Sequence, residues 1–382
     1  MHPSNASAAV ATEWALQGLS SPPSSSPSTE ADLCSVSLSG SQIKLIPVLY
    51  CVLFVLGLVG NSLVIIVLWQ QRSLKNVPTV YILNLAVVDL LALATLPLWA
   101  VYYAYGYNWL FGSTMCKVSS SVLSLTTFAS IFFITCMSLN RHQAILHPFQ
   151  SQQGTLQRAF ATVLLVWGFA TLTSLPTFYF RDTRDIPNLN VTACVMAFPA
   201  ETYSRWSAGM ALMKSTVGFL IPLAIIVTCY IRIGVHLLRA QRFGRNRQQT
   251  DRVLKLVAAV VVAFLSCWLP FHVLTFLDAL VSLEVIRDCW VTSVIDEALP
   301  FGLLMGFTNN CINPLLYYFI GSQFQEKLQR LFKLRLYQFK NTRQSLCSVK
   351  TSFFQDAETP VDDVAQGEEA VESSQTHSLW VP

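Results

Sequence analysis

Charged side chains are scarce in this chain, which has 382 residues and only 12% Asp, Glu, Lys and Arg. An average soluble protein carries roughly 25% charged residues. Hydrophobic residues make up 53% of the sequence. This balance argues against an ordinary soluble domain and favours a protein that crosses the membrane several times.

Two further absences narrow the functional class. No internal repetition of the kind that builds transporters is visible, which argues against a transporter. His147, His236 and His272 are isolated, and no pattern places a nucleophile beside a base or spaces ligands for a metal. We therefore do not expect an enzyme or a metal centre.

Apolar runs of about 20 residues recur, and a helix of that length spans a bilayer core of about 30 Å. There are seven such runs, at 43–69, 79–105, 116–140, 159–180, 208–231, 256–277 and 290–320. We predict an all-α membrane protein that folds as a seven-transmembrane helix bundle. The third run has no charge between Lys117 and Arg141, and its first half is rich in serine. Small hydroxyl residues suit a helix packed among others, so we expect this helix to be central.

Basic residues cluster in alternate connections. Arg72 and Lys75 follow the first run, Arg141 and Arg158 flank the second such connection, and the third and the tail are also basic. The positive-inside rule makes these faces cytoplasmic, and an odd number of spans leaves the N-terminus extracellular. The net charge of +4 therefore reports topology, and we do not interpret it as nucleic-acid binding.

Four regions follow from composition. Residues 1–42 are rich in Ser, Pro and Ala and are expected to be a disordered extracellular tail without a clear cleavable signal, glycosylated at Asn5; a second acceptor, Asn190, precedes the fifth run. Residues 43–320 hold the spans. Residues 321–337 alternate apolar and basic positions and are predicted to form an amphipathic helix 8. Residues 338–382 are expected to be a disordered cytoplasmic tail, which either has a regulatory role or is simply solvated. Cys347 in this tail is either palmitoylated or a free thiol.

Polar groups inside the spans need a physical reason. Asp89 stands in mid-span, where an isolated carboxylate would be costly. Lys214 lies about one turn into the fifth run, so its ammonium either reaches the headgroups or faces a ligand. Four cysteines, Cys34, Cys116, Cys194 and Cys289, fall on the outer face, and the residues alone leave three possible pairings. Each of the prolines within the spans predicts a kink.

Signature residues occur in every run, and together they resemble the rhodopsin-like G-protein-coupled receptors. They are Gly60-Asn61, Asn84-Leu-Ala-Val-Val-Asp89, Cys116 with Arg141, Trp167, Pro222 with Tyr230, Cys267-Trp-Leu-Pro270 and Asn313-Pro-Leu-Leu-Tyr317. The resemblance implies a plasma-membrane receptor that signals to a heterotrimeric G protein or another cytoplasmic protein. It also implies disulfides Cys116–Cys194 and Cys34–Cys289.

The same resemblance assigns residues to a conformational switch and to a polar core. Agonist binding would shift the population towards a state in which the sixth helix swings about Pro270. The implied switch residues are Asn140, Arg141, Tyr230, Pro270, Asn313, Pro314 and Tyr317. A structural sodium ion, the one cofactor that we consider, would lie near Asp89, Ser130, Asn310 and Asn313.

Blocks in the outer halves of the spans are similar to the type 2 subfamily of angiotensin receptors. They include Leu96-Pro-Leu-Trp99, Phe180-Arg181-Asp182, Trp206 to Lys214, Phe271 to Asp278 and Ile295-Asp296-Glu297. The implied ligand is angiotensin II, an octapeptide with a C-terminal carboxylate after phenylalanine and an arginine near its N-terminus. The alternative is another peptide receptor, of bradykinin or chemokine type.

The predicted ligand site combines charges of both signs with aromatic rings. Arg181 and Lys214 would bind the carboxylate, and Asp278 and Asp296, with Glu297 next to Asp296, would face the basic end of the peptide. The segment from Asp278 to Glu297 contains five acids and one arginine. The rings either bind the hydrophobic end of the peptide or simply pack the helices; they are Trp99, Tyr102, Tyr103, Trp268, Phe271, His272 and Phe307.

Two departures from the receptor pattern affect the expected signalling. Asn140-Arg141-His142 lacks the acid that normally pairs with the arginine. Thr126 stands where angiotensin receptors carry an asparagine thought to restrain activation, so the sodium site would lose a neighbour. We expect raised basal activity or weak, atypical G-protein coupling.

Overall fold

A computed structural model describes residues 40–70, 76–147, 155–186, 190–242, 247–320, 325–326, 328–330 and 333. Seven long helices make up most of this part of the chain. They are α1 (Gly40–Gln70), α2 (Val77–Ala104), α3 (Gly112–Leu146), α4 (Thr155–Phe180), α5 (Tyr203–Ser215, a π-helical turn at Thr216–Leu220, and Ile221–Arg242), α6 (Arg247–Ser282) and α7 (Cys289–Ile320). A β-hairpin separates α4 from α5.

All seven helices contain segments long and apolar enough to cross a membrane. Large apolar side chains point outwards, as on α4, where Leu164 and Leu165 are 74% and 73% exposed. In water such an apolar surface would promote aggregation, whereas in a bilayer it faces lipid. The predicted bundle of seven membrane-spanning helices is confirmed.

Several helices extend beyond the predicted apolar runs. α6 begins at Arg247 rather than near 256, and α3 continues to Leu146 rather than 140. The run length reports the thickness of the hydrocarbon layer, whereas polar residues beyond that layer continue the same hydrogen-bonded helix.

Two polar contacts join neighbouring helices inside the bundle. The Asn61 amide of α1 donates to the main-chain oxygen of Asn310 in α7 at 3.0 Å, and Trp167 Nε1 of α4 donates to Asn84 Oδ1 of α2 at 3.0 Å. α3 packs against α2, α4, α5 and the hairpin. The predicted central place of the third helix is therefore observed.

The hairpin was not foreseen by the all-helical prediction. β1 (Arg181–Ile186) pairs with β2 (Val191–Met196) in antiparallel register, and Asn190, an exposed residue with φ of 51°, lies in the turn. A disulfide joins Cys194 of β2 to Cys116 of α3, as the receptor resemblance implies. This disulfide joins residues that are 78 positions apart in sequence, and it fastens the hairpin over one end of the bundle. We call this end the hairpin end.

Some predictions concern parts of the chain that the structure does not describe. Cys289 is disulfide-bonded, and its predicted partner Cys34 lies outside the described residues, as do Asn5 and Cys347. Of the predicted amphipathic segment 321–337, residues 325–326, 328–330 and 333 are helical, and the remaining positions lie outside the described residues.

Candidate functional site

A cavity of about 330 Å³ opens among the helices at the hairpin end. Ten of the eleven residues predicted for ligand binding line it. These ten are Arg181, Lys214, Asp278, Trp99, Tyr102, Tyr103, Trp268, Phe271, His272 and Phe307. The two cations therefore share one cavity with most of the predicted aromatic set, although they lie on different elements of the chain.

Arg181 reaches the cavity from the hairpin. It is the first residue of β1, directly after the end of α4. Its guanidinium carbon lies 5.7 Å from the centre of the Trp99 ring, a distance suited to a cation–π contact. This contact directs the guanidinium over the aromatic wall that α2 contributes.

Lys214 enters the cavity from α5, and more of the helix precedes it than the sequence predicted. α5 begins at Tyr203, so Lys214 lies about three helical turns from its start rather than one. The π-helical turn Thr216–Leu220 follows almost directly and alters the direction in which residues of α5 face. The ammonium acts electrostatically on His272, which is buried.

Aromatic rings form two walls of the cavity. On the α2 side, Tyr50 of α1 makes edge-to-face contacts with Tyr103 and Phe307, with ring centres 5.7 Å apart in both pairs. On the α6 side, the His272 ring stacks on Phe219 at 4.6 Å with an angle of 21° between the planes. Most of these rings pack the helices and also line the cavity, so helix packing is observed, whereas binding of the peptide by these rings stays a prediction.

The two acids predicted for the ligand site, Asp278 and Asp296, lie in different surroundings. Asp278 lines the cavity, whereas Asp296 is not among its lining residues in the described part of the chain. Asp296 is buried near Tyr107, whose hydroxyl donates to Gln42 Oε1 at 2.7 Å. Burial raises the pKa of Tyr107, and the nearby Asp296 carboxylate adds to that effect. Gln42 in turn donates to the Glu297 main-chain oxygen, so this cluster joins α1 to α7.

Several lining residues were missed by the sequence interpretation. Ser120, Ser124 and Thr127 of α3 line the cavity together with Tyr50 and Met210. The three hydroxyl residues recur at helical spacing, so they share one face of α3. That periodicity was visible in the sequence, but it was interpreted as a helix-packing surface.

A second group of polar residues lies among α2, α3 and α7. Asp89 is completely buried, and its Oδ2 accepts a hydrogen bond from Asn313 Nδ2 at 2.9 Å. Its Oδ1 and the buried Ser130 hydroxyl make no hydrogen bond to any described residue. Asn310 is also buried. Oxygen atoms of this kind suit a small hard cation such as sodium, so the four predicted residues fit that ion.

The structure places Thr126 in the same region of α3 but with its hydroxyl satisfied. Its Oγ1 donates to the main-chain oxygens of Val122 and Leu123 at 2.8 and 3.1 Å. A threonine that hydrogen bonds to its own helix offers little to a neighbouring helix or ion. This geometry is consistent with the expected loss of a neighbour for the polar core.

The predicted switch residues lie on α3, α5, α6 and α7. The Ser138 hydroxyl donates to the Tyr230 hydroxyl at 3.2 Å, which joins α3 to α5. Asn140 is half-buried and Arg141 is exposed, and Arg141 forms no ion pair with any described residue. Pro270 lies within α6 and Pro314 within α7. Tyr317 belongs to α7, but its side chain lies outside the described part of the structure.

Comparisons with known proteins agree with this arrangement. Residues 60–317 match the family described as the 7 transmembrane receptor (rhodopsin family). The human Type-2 angiotensin II receptor is 53% identical over 326 residues, which cover 85% of this chain and 90% of that receptor. The rat Type-2 angiotensin II receptor is 52% identical over the same length, with the same coverage. The dog Type-1 angiotensin II receptor is 41% identical over 290 residues, which cover 76% of this chain and 80% of that receptor. The chain therefore belongs to the rhodopsin family of seven-transmembrane receptors.

Proposed function

We propose that the chain is a plasma-membrane receptor for angiotensin II, with its N-terminus and hairpin end outside the cell. The observation that carries this proposal is that Arg181 and Lys214, 33 residues apart in sequence, line the same cavity beside aromatic walls. A charge-assisted contact with a carboxylate is roughly twice as strong as a neutral hydrogen bond. The C-terminal carboxylate and phenylalanine of the peptide match these two features.

The basic end of the peptide would face the acids at the hairpin end. Asp278 lies in the cavity wall, and Glu284 and Asp288 are exposed in the connection between α6 and α7. Glu284 already pairs with Arg287 at 3.2 Å. Exposed acids of this kind attract a basic peptide at long range more than they add to its affinity.

Signal transmission would begin at the α6 wall of the cavity. Trp268, Phe271 and His272 surround Pro270, which lies within α6. A peptide that packs better against these rings in one state would shift the population towards that state. Movement of α6 at the opposite end of the bundle, near Arg141 and Tyr230, would admit a G protein or another cytoplasmic partner.

The polar core would hold sodium when the receptor is in one of its conformations. Asp89 supplies the only carboxylate of the group, and Ser130 supplies a buried hydroxyl oxygen. Bound sodium would neutralise the buried carboxylate and link α2 to α3. Asn313 and Asn310 would complete the surroundings from α7.

Displacement of labelled angiotensin II from cells that express the chain tests the ligand assignment. We expect unlabelled angiotensin II to displace the label at much lower concentration than its C-terminal amide, because the amide lacks the charge that Arg181 and Lys214 would bind. Saturable binding of bradykinin or a chemokine in place of angiotensin II would overturn the assignment in favour of the alternative peptide receptor. A wild-type chain that reaches the cell surface and binds no angiotensin II would also overturn it.

A further inference from the structure

We propose that Asp182 is a positioning residue for the ligand site: its carboxylate holds β1 against α3, and this contact keeps the adjacent Arg181 directed into the cavity. The inference rests on the proposed function, because it assigns a role in binding the anionic end of the peptide. It concerns Asp182, which follows Arg181 in sequence and, in the described part of the chain, does not line the cavity.

Alternation along a β-strand separates the two side chains. Successive residues of a strand point to opposite faces. Arg181 lines the cavity and lies over Trp99, whereas Asp182 contacts the first turns of α3. A carboxylate that immediately follows a ligand-binding arginine would otherwise be a natural competitor for its guanidinium. Here the side chains that contact it, Ser113 and Lys117, are on α3 instead.

Both oxygens of Asp182 have partners. Oδ1 accepts hydrogen bonds from the Ser113 hydroxyl and from the main-chain N–H of Thr183, the latter at 2.8 Å. Oδ2 lies 3.7 Å from the ammonium of Lys117. The hydrogen bond from Ser113, followed by that from Thr183, lowers the pKa of Asp182, so the side chain is ionised at neutral pH.

β2 makes its own links to neighbouring parts of the chain. Cys194 is bonded to Cys116, and Thr192 exchanges hydrogen bonds with the segment before α3: its oxygen accepts from Trp109 N at 2.7 Å, and its N–H donates to Asn108 Oδ1 at 3.0 Å. β1 follows β2 through the ladder, in which Asp182 faces Val195. The Asp182 contacts add a direct link from β1 to α3 at the position next to Arg181.

Loss of this link should weaken binding of the C-terminal carboxylate of the peptide more than binding of the rest of the peptide. A displacement of about 1 Å at a charged contact is enough to weaken it strongly. We expect Asp182→Ala to reduce affinity for angiotensin II on the order of 10-fold, the scale of one charge-assisted hydrogen bond. Affinity for the C-terminal amide, which has no carboxylate for Arg181 to bind, should fall by less than about 3-fold.

The decisive experiment is a double-mutant cycle. Affinities for the acid and the amide peptide are measured for wild type, Arg181→Ala, Asp182→Ala and the double variant, with receptor number normalised by surface labelling of an epitope tag. In the Arg181→Ala background, Asp182→Ala should cause no further loss. Asp182→Asn, which retains an oxygen acceptor for Ser113 and Thr183, should lie nearer to wild type than Asp182→Ala.

Asp185 provides a matched control on the same strand. It accepts a hydrogen bond from Thr192 Oγ1 within the hairpin and is exposed, so Asp185→Ala should leave both affinities unchanged. If Asp182→Ala fails to reach the surface, Ser113→Ala and Lys117→Ala remove partners of the same carboxylate from α3 and should reproduce the selective loss for the acid peptide.

Two results would overturn the inference. One is an equal loss for the acid and the amide peptides, which indicates general destabilisation; the other is a full further loss in the Arg181→Ala background, which indicates independent action. Failure of the proposed function has a different signature. In that case wild type would not bind angiotensin II, or Arg181→Ala would leave the preference for the acid over the amide intact.

Discussion

Asn313 of α7 donates a hydrogen bond to Asp89 of α2 at 2.9 Å, and this contact occupies only one oxygen of a completely buried carboxylate. The other oxygen, Oδ1, has no hydrogen-bond partner among the described residues, and neither does the hydroxyl of Ser130. A buried carboxylate with an unused oxygen is costly unless a cation or a hydrogen-bond donor compensates for it. Sodium would supply that compensation from the solvent.

We therefore predict that sodium stabilises the purified receptor through Asp89. Replacing choline chloride by sodium chloride at constant ionic strength should raise the thermal unfolding midpoint by about 2–4 °C, the shift expected for roughly 1 kcal/mol. Asp89→Asn removes the charge and should abolish the increase. An equal increase in the variant would show that sodium acts elsewhere.

Removing a cation that lines the cavity should weaken ligand binding, whereas removing an exposed cation outside the cavity should not. Lys214→Gln and Arg181→Ala should each weaken binding of angiotensin II by about 10- to 100-fold, since hydrogen bonds to charged groups contribute roughly 1.5–3 kcal/mol. Lys44→Gln, which removes an exposed cation of α1 that does not line the cavity, is the matched control and should leave affinity unchanged. Competition binding with the labelled peptide measures all three. Unchanged affinity in both cavity variants would contradict the proposed carboxylate site.

The sequence predicted the two cations of the cavity better than it predicted where the helix that carries Lys214 begins. Lys214 was placed one turn into an apolar run that began near residue 208, but α5 begins at Tyr203. The first turn of α5 contains Arg205 and Ser204, so it does not raise the local hydrophobicity, although it continues the helix. Hydrophobic periodicity reports contact with lipid, and it does not report where a helix ends in water.

The hairpin shows a second limit of prediction from sequence. β1 contains two aspartates and two arginines, a composition with little strand propensity. Pairing with β2 and the bond from Cys194 to Cys116 determine its structure. The disulfide followed from the receptor resemblance, whereas the strand register and the role of Asp182 depend on long-range contacts that no local pattern in this sequence indicates.

Asp296 illustrates the same limit for an individual residue. Its place beside Asp278 in an acidic segment suggested a shared role, yet the two lie on different helices and only Asp278 lines the cavity. Asp296 instead lies in the buried cluster with Tyr107. Which acids of a cluster face a ligand depends on the rotation of each helix, and hydropathy does not determine that rotation.

Restoring an acid before Arg141 should lower basal signalling. Arg141 is exposed and forms no ion pair with any described residue, so no such contact restrains this end of α3. Asn140→Asp introduces a carboxylate next to the guanidinium and should stabilise the inactive state by up to about 1 kcal/mol, the scale of an exposed pair. Agonist-free signalling by the variant and by wild type, compared at equal surface expression, measures the change. Identical basal activity would contradict a role for Asn140.

The Asp182 contact should depend on pH in the direction set by its lowered pKa. Because the pKa of Asp182 lies below the ordinary value of 3.8, the stabilisation is present above that value and is lost as the pH falls through the folded-state pKa. Asp182→Asn should therefore lower the thermal unfolding midpoint by a constant amount between about pH 5 and 8, and the difference should shrink near pH 3. The effect should be small, since the side chain is 35% exposed. A difference that grows as the pH falls would contradict this assignment.

Two glycines provide a matched test of helix packing. A Cβ at Gly57 of α1 would lie 2.5 Å from Leu93 Cδ1 and 3.0 Å from Cys311 Sγ, and Leu93 is completely buried. Gly57→Ala must therefore displace α1 or repack Leu93, at a cost of about 1–3 kcal/mol. A Cβ at Gly168 of α4 would meet no atom within 4 Å, so Gly168→Ala should be neutral or stabilising by up to about 1 kcal/mol through helix propensity. Thermal unfolding at one fixed scan rate should show a midpoint lower by about 2–10 °C for Gly57→Ala and no decrease for Gly168→Ala. Equal midpoints would mean that the close approach of α1 to α2 and α7 at Gly57 does not limit packing.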